Sequence, residues 1–269
     1  MKTVICQIRN EAMLLPLWLK HHLPFFDYGV FIDFKSTDGT REIIRDLAPH
    51  WRIVDSVNPM FDARDIDMQV MAVEGMLDGW KCSLNVTEFL LPSPDFWIHL
   101  DWLGRNTDAQ GIVLSGVTLC DIERTRSDTL DYSVPFLRQR HHGFFSCGPH
   151  MYPLNSRWGQ RDRIMHRMDN GQYKLGRHGC HLGIMTNAYD KCYVSWAGFS
   201  PFDQQKARKL AIRANLSDTD MLDSTRSPQH KVNAETLEQM FLARTEDAID
   251  LLIHEHYKRN VSLLPMTYT

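Results

Sequence analysis

Polar residues able to do chemistry recur in this chain just behind short apolar runs. Arg9, Asn10 and Glu11 follow Val4–Ile8, Asp33 sits near the end of Val30–Phe34, and Asn85, Thr87 and Glu88 end the run that starts at Trp80. Carboxylates accept hydrogen bonds and bind hard cations, a guanidinium fork grips phosphate, and amide or hydroxyl oxygens add neutral ligands. Asp33 could accept from a base or a ribose. The turn Ser36–Thr40 behind it would present backbone N–H groups and a helix start, although ordinary turn and capping chemistry explains that turn equally well.

These residues need elements to position them. Val4–Ile8 is an almost continuous apolar run and reads as a buried strand of a parallel sheet, and Val30–Phe34, Trp51–Asp55, Trp80–Val86 and Gly111–Val117 read as further strands. Between them lie helical patterns: Leu14, Leu15, Trp18 and Leu19 on one face after an Asn10 cap, then Arg41–Leu47, then about Ala63–Leu77. Alternating strand and helix predicts an α/β fold, a mostly parallel sheet covered by helices on both faces. In such a sheet ligands bind beyond the carboxyl ends of the strands, where the polar residues above fall. The segment 124–177 reads as loops with short strands, and Tyr193–Trp196 as a further strand. From Pro201 the pattern turns helical, over Gln204–Ala214 and Ala234–Asn260. The expected organisation is a domain over 1–200 with a helical C-terminal extension, 201–269, packed on it.

Bulk properties narrow the classes. The chain has 269 residues, 43% apolar, with net charge −3. That length supports a full core without staples, and the charge does not suggest a duplex nucleic-acid binder, so nucleic acid is not an expected partner. The six cysteines form no CxxC pair and no zinc-finger spacing, and read as buried free thiols of a reducing compartment. The N-terminus shows no cleavable signal pattern and no apolar run spans a bilayer, so the expectation is a cytoplasmic protein without a transmembrane segment.

Three segments carry a resemblance. They are Asn10-Glu11 with Leu15, Trp18, His21 and His22; Asp33 with Ser36-Thr37-Asp38-Gly39-Thr40; and Leu84-Asn85-Val86-Thr87-Glu88-Phe89-Leu90. Together they resemble the family-2-like glycosyltransferases of GT-A fold whose motifs read N-E-x-x-x-L-x-x-W-x-x-H-H, D-x-x-S-T-D-G-T and L-D-x-D-E-F-L. The match covers roughly the first 95 residues. Weaker echoes are Arg177–His181 and Ser200 with Phe202 and Lys206. The resemblance implies a nucleotide-diphosphate sugar donor, a glycan or other hydroxyl acceptor, and a divalent cation, Mn²⁺ or Mg²⁺, bridging the diphosphate. Arg9, Asn10, Glu11, Asp33, Arg64 and Asn85 would then face the donor, with Thr87, Glu88 and His181 as the metal-side residues.

The chain departs from the pattern where the cation would bind. Asn85 and Thr87 stand where the family has two aspartates, and charge count is a main determinant of cation affinity. Three readings follow: weak metal binding helped by the donor; replacement of the metal by cationic side chains from Arg9, Arg64, Lys81, Arg177, His178 and His181; or a non-catalytic nucleotide-sugar-binding protein. An inverting transferase also needs a base. Asp121, then Glu123, are the candidates, with solvated loop acids as the alternative. Trp18 and Trp80 read as core. Trp102, Trp158 and Trp196 could stack on an acceptor sugar or pack inside. The central expectation is that Glu11, Asp33 and Asn85–Glu88 meet in one crevice.

Overall fold

A computed structural model describes residues 1–146, 161–214, 216, 218–222 and 231–268. Trp158, Cys147 and most of the loop 217–231 lie outside them. The chain opens β1 (Lys2–Ile8), α1 (Leu15–His22), β2 (Tyr28–Asp33), α2 (Thr40–Leu47), β3 (Arg52–Asp55), α3 (Ala63–Glu74) and β4 (Trp80–Ser83). The middle holds β5 (Glu88–Pro92), α4 (Phe96–Asn106), β6 (Gly111–Cys120), α5 (Phe136–Gln139), β7 (His142–Phe145), β8 (Arg163–His166) and β9 (Met185–Asn187). It ends in β10 (Cys192–Phe199), α6 (Phe202–Arg213), α7 (Asp218–Leu222), α8 (Ala234–Thr245), β11 (Ile249–Asp250) and α9 (Glu255–Ser262).

The α/β class stands as the sequence predicts. The main sheet runs β11-β7-β6-β8-β4-β1-β2-β3. Its N-terminal half, β3-β2-β1-β4, is parallel throughout. Beyond β4 the sheet becomes mixed, because β8 inserts antiparallel between β4 and β6. Residues alternate between faces along β1, as a strand's period of two requires. Val4, Cys6 and Ile8 join the large cluster with Leu15, Trp18 and Phe31. Ile5 faces a second cluster with Val70, Val73 and Ile164. Both faces are therefore covered. A third cluster, Trp196, Phe199, Phe202 and Phe241, seats α6 and α8.

Several boundaries differ from expectation, each for a local reason. Asn10 does not cap α1. The cap position is Leu14, without a side-chain bond, and Asn10 takes a left-handed backbone (φ 52). The run from Trp80 is two strands, because Val86 and Thr87 form a turn and β5 leaves to pair with β10. Ala234–Asn260 is not one helix: α8 stops at Thr245, and Ile249–Asp250 pairs with β7 as a sheet edge. Part of the C-terminal segment thus belongs to the sheet. The isolated stretch 124–177 holds α5, β7 and β8 where loops dominate the pattern.

The apolar and histidine positions of the first motif fasten α1 to β5. Trp18 Nε1 donates to the Glu88 carbonyl at 2.9 Å. His21 Nε2 lies 2.6 Å from the Leu90 carbonyl, while the Leu90 N–H donates to His22 Nε2 at 3.1 Å. His22 must then carry its proton on Nδ1, 2.9 Å from the Trp18 carbonyl. Burial pushes His21 down to about 4 and His22 well below its ordinary value, so both rings are neutral.

Candidate functional site

The polar turn of the second motif folds back onto the first. The Asn10 N–H donates to Ser36 Oγ at 3.0 Å, the Thr37 N–H to Asn10 Oδ1 at 2.8 Å, and the Glu11 N–H to Thr40 Oγ1 at 2.8 Å. Asp38 accepts from the Ala12 N–H at 3.1 Å. This cross-bracing supports the left-handed backbone of Asn10 and Lys35 (φ 55). It also turns Glu11 inward, where it is 4% exposed.

Glu11 there lines a crevice of about 170 Å³ at the carboxyl ends of β1 and β4. Gln7, Arg9 and Phe34 form one wall, and Asp67 of α3 another. Asn85, Thr87 and Glu88 form the floor, with Arg161 and Arg163 beside them. The Gly176–His178 loop, Trp196 of β10 and Arg208 and Lys209 of α6 complete it. Of the residues expected to meet, Glu11, Asn85, Thr87 and Glu88 do so, and Arg9 and Arg177 join them.

Each carboxylate lining this crevice is gripped by an arginine. Arg163 binds Glu88 bidentately, Nε to Oε2 at 2.8 Å and Nη2 to Oε1 at 2.5 Å, with both side chains almost fully buried. The Asn85 N–H also donates to Glu88, at 2.8 Å. Arg208 binds both oxygens of Glu11. Arg177 pairs with Asp67 and donates to Asn85 Oδ1 at 3.0 Å. The Gly176 N–H donates to the other Asp67 oxygen at 2.8 Å. Gly176 (φ 84) and Arg177 (φ 62) are both left-handed. For an arginine that conformation costs about 1–2 kcal/mol, and such strain concentrates at functional sites.

Arg161 and Lys209, which also line the crevice, pair with no carboxylate among the described residues. The Arg161 guanidinium stacks 3.7 Å over the Trp196 ring, and its Nη1 lies 3.3 Å from His178 Nε2. Lys209 is 3% exposed, its ammonium 5.1 Å from the Trp196 centroid and 5.2 Å from that of Phe199. Burial, then the neighbouring Arg163, pushes Arg161 down to about 10. Burial and then Arg208, Arg161 and Arg244 push Lys209 well below its ordinary value. Half-buried His178 is pushed down to about 2 by desolvation and then by Arg163 and Arg161, and is neutral.

Other expected site residues lie elsewhere. Asp33 is buried beside the crevice, but it accepts from Arg41 Nη1 at 2.7 Å and from the Ser36 N–H at 3.2 Å. Asn10 serves the bracing just described. Arg64 and His181 are exposed on the surface. Lys81 donates to the Leu77 carbonyl at 2.8 Å. Glu123 is solvated, 3.9 Å from Arg126. Trp102 is half exposed on α4.

Asp121 does not line the crevice. Its carboxylate accepts from Ser200 Oγ at 2.5 Å and from the Phe202 N–H at 2.8 Å, capping the start of α6, with Arg140 Nε at 3.6 Å. Burial raises it to about 6 against those bonds. Asp121→Ala is expected to lower stability by about 2 kcal/mol, the cost of a lost cap and an unpaired buried neighbour, while nucleotide affinity stays unchanged. Chemical denaturation alongside a binding titration checks both halves.

The residues present do not fit a divalent cation. Hard cations need several oxygen ligands, usually including carboxylates. Glu88 commits both oxygens to Arg163, and Asn85 commits its oxygen to Arg177. Among the described residues no group of three or more His, Cys, Asp or Glu is placed to hold an ion.

Asp67, Arg161, Arg163, Arg208 and Lys209 escape a motif reading. A signal for some of them exists. Phe202, Gln205, Lys209 and Ile212 fall on one helical stripe, so the inner face of α6 is polar in its middle. Asp67 likewise interrupts the stripe Ile66, Val70, Val73 of α3.

No family profile and no curated protein matches the chain. Among solved structures, glucosyl-3-phosphoglycerate synthase from Mycobacterium tuberculosis, in complex with Mn²⁺, UDP and glucosyl-3-phosphoglycerate, is 15% identical. That match covers 44% of each chain with a TM-score of 0.32. The same enzyme with Mg²⁺ and UDP is 18% identical over 44% of this chain and 43% of that one, TM-score 0.31. Residues 1–349 of TarS from S. aureus are 11% identical over 90% of this chain and 71% of that one, TM-score 0.41. The chain thus spans under half the length of the mycobacterial enzyme. Among the described residues no helix is long and apolar enough to cross a membrane.

Proposed function

We propose that the chain is a glycosyltransferase that holds a nucleotide-diphosphate sugar in this crevice and passes the sugar to a glycan or other hydroxyl acceptor. The observation that carries the reading is convergence. Glu11 and Asn85–Glu88, from separate motif segments of the glycosyltransferase pattern, line one crevice at the strand ends, where open α/β sheets bind ligands. Gln7 supports it. Both atoms of its amide are buried without a partner among the described residues at the crevice wall, an arrangement a nucleobase or sugar edge would satisfy. We place the protein in the cytoplasm, in polysaccharide synthesis. The described cysteines are free thiols, which suits a reducing compartment.

One observation favours a second reading, a nucleotide-sugar binder without transfer. Inversion requires a base, and Glu11, Asp67 and Glu88 are each held by arginine. His178 is too weak a base at about 2.

UDP or GDP is expected to raise the melting temperature by roughly 5 °C at a hundredfold excess over Kd. A nucleotide panel without any shift would defeat both readings. Sugar release from a panel of donors, followed by NMR with and without acceptor glycans, separates transferase from binder.

A further inference from the structure

Building on the donor-site reading above, we infer that the crevice grips a diphosphate directly through Arg161 and Lys209, cationic side chains standing where a divalent cation would otherwise act. The argument starts from charge. Arg163, Arg177 and Arg208 are each neutralised by their own carboxylate. Among the described residues Arg161 and Lys209 are not, and both are held against the Trp196 ring. A buried ammonium without a counter-charge is costly. Such a group is retained most readily where a ligand supplies the missing charge.

The charges that act most strongly on Lys209 among the described residues are all positive. Arg208 precedes it on α6, Arg161 approaches from the entry to β8, and Arg244 comes from α8. A diphosphate would meet complementary charge here, and a divalent cation would meet repulsion. Stacking on Trp196 fixes the plane of Arg161, so its fork is oriented before the anion arrives. The floor agrees. Asn85 and Thr87 add no negative charge, and Glu88 is cancelled by Arg163.

The test is calorimetric titration of inorganic pyrophosphate, UDP and UMP into the full chain, once in EDTA and once with Mn²⁺. Pyrophosphate and UDP are expected to bind in EDTA, both tighter than UMP by tenfold or more. Lys209→Met and Arg161→Met should each weaken pyrophosphate at least tenfold, with circular dichroism confirming that the variants fold. Binding absent in EDTA and restored by Mn²⁺ would overturn the inference without any variant being needed. Unchanged affinity in both folded variants would overturn it too. Pyrophosphate binding in EDTA with no binding of any nucleotide diphosphate upholds the anion clamp and removes the donor reading. UDP binding that depends wholly on Mn²⁺ does the reverse.

Discussion

Glu88→Ala is expected to destabilise the protein by about 3–5 kcal/mol, the usual cost of stranding one partner of a buried ion pair. Arg163 would remain at 2% exposure without its bidentate carboxylate. For a domain of this size the loss corresponds to a fall in melting temperature of roughly 10 °C. The effect is a property of the pair. Removing both charges, in Glu88→Leu with Arg163→Met, should restore much of the stability, since apolar replacement of a buried pair is often neutral. Recovery will be incomplete, because Arg163 Nη1 also serves the Gly176 carbonyl at 2.7 Å. Urea unfolding of the two single variants and the double variant measures the coupling. If Glu88 were instead a metal ligand, Glu88→Ala would leave stability in EDTA nearly unchanged. That result would remove the ion-pair account of the crevice floor.

Lys209→Met should act in opposite directions on stability and on binding. Met fills similar space without a charge, so the protein without ligand is expected to gain about 1 kcal/mol or more while pyrophosphate affinity falls at least tenfold. The pH dependence gives an independent check. Folding holds Lys209 well below its ordinary value of 10.5. Between the folded and unfolded values the unfolded chain therefore binds more protons. Stability then rises with pH across that window, and it is lowest below the folded value, where the ammonium is buried and charged. Lys209→Met should flatten this rise. A variant that melts lower than the parent at every pH would show that Lys209 stabilises the fold and is not held against its own tendency.

Much of the fold is legible in the residues themselves. β1, β2 and β4 are buried on both faces and α1 and α3 carry regular stripes, while β3 is a half-exposed edge strand. What the sequence hides is pairing over long distances. The insertion of β8 between β4 and β6, and of Ile249–Asp250 beside β7, depends on which edges remain open, and no local pattern records that. The site shows the same division. Glu11 and Asn85–Glu88 are visible because polar residues end apolar strands. Their arginine partners are not, since Arg163 lies 75 positions from Glu88 and Arg208 lies 197 from Glu11. Asp33 looks like a nucleotide contact and Asp121 like a base in isolation, and only their neighbours, Arg41 and the start of α6, reveal that one is paired and the other caps a helix.

The bond from the Trp18 indole to the main chain at Glu88, with the two histidines behind it, makes α1 and β5 a single mechanical unit. Any tilt of that helix is passed through β5 to Glu88, from there to Arg163, and so to the base of the crevice. Phe25 and Phe26 pack around the same histidines at the far end of the helix. Side chains remote from the crevice are therefore mechanically coupled to its base.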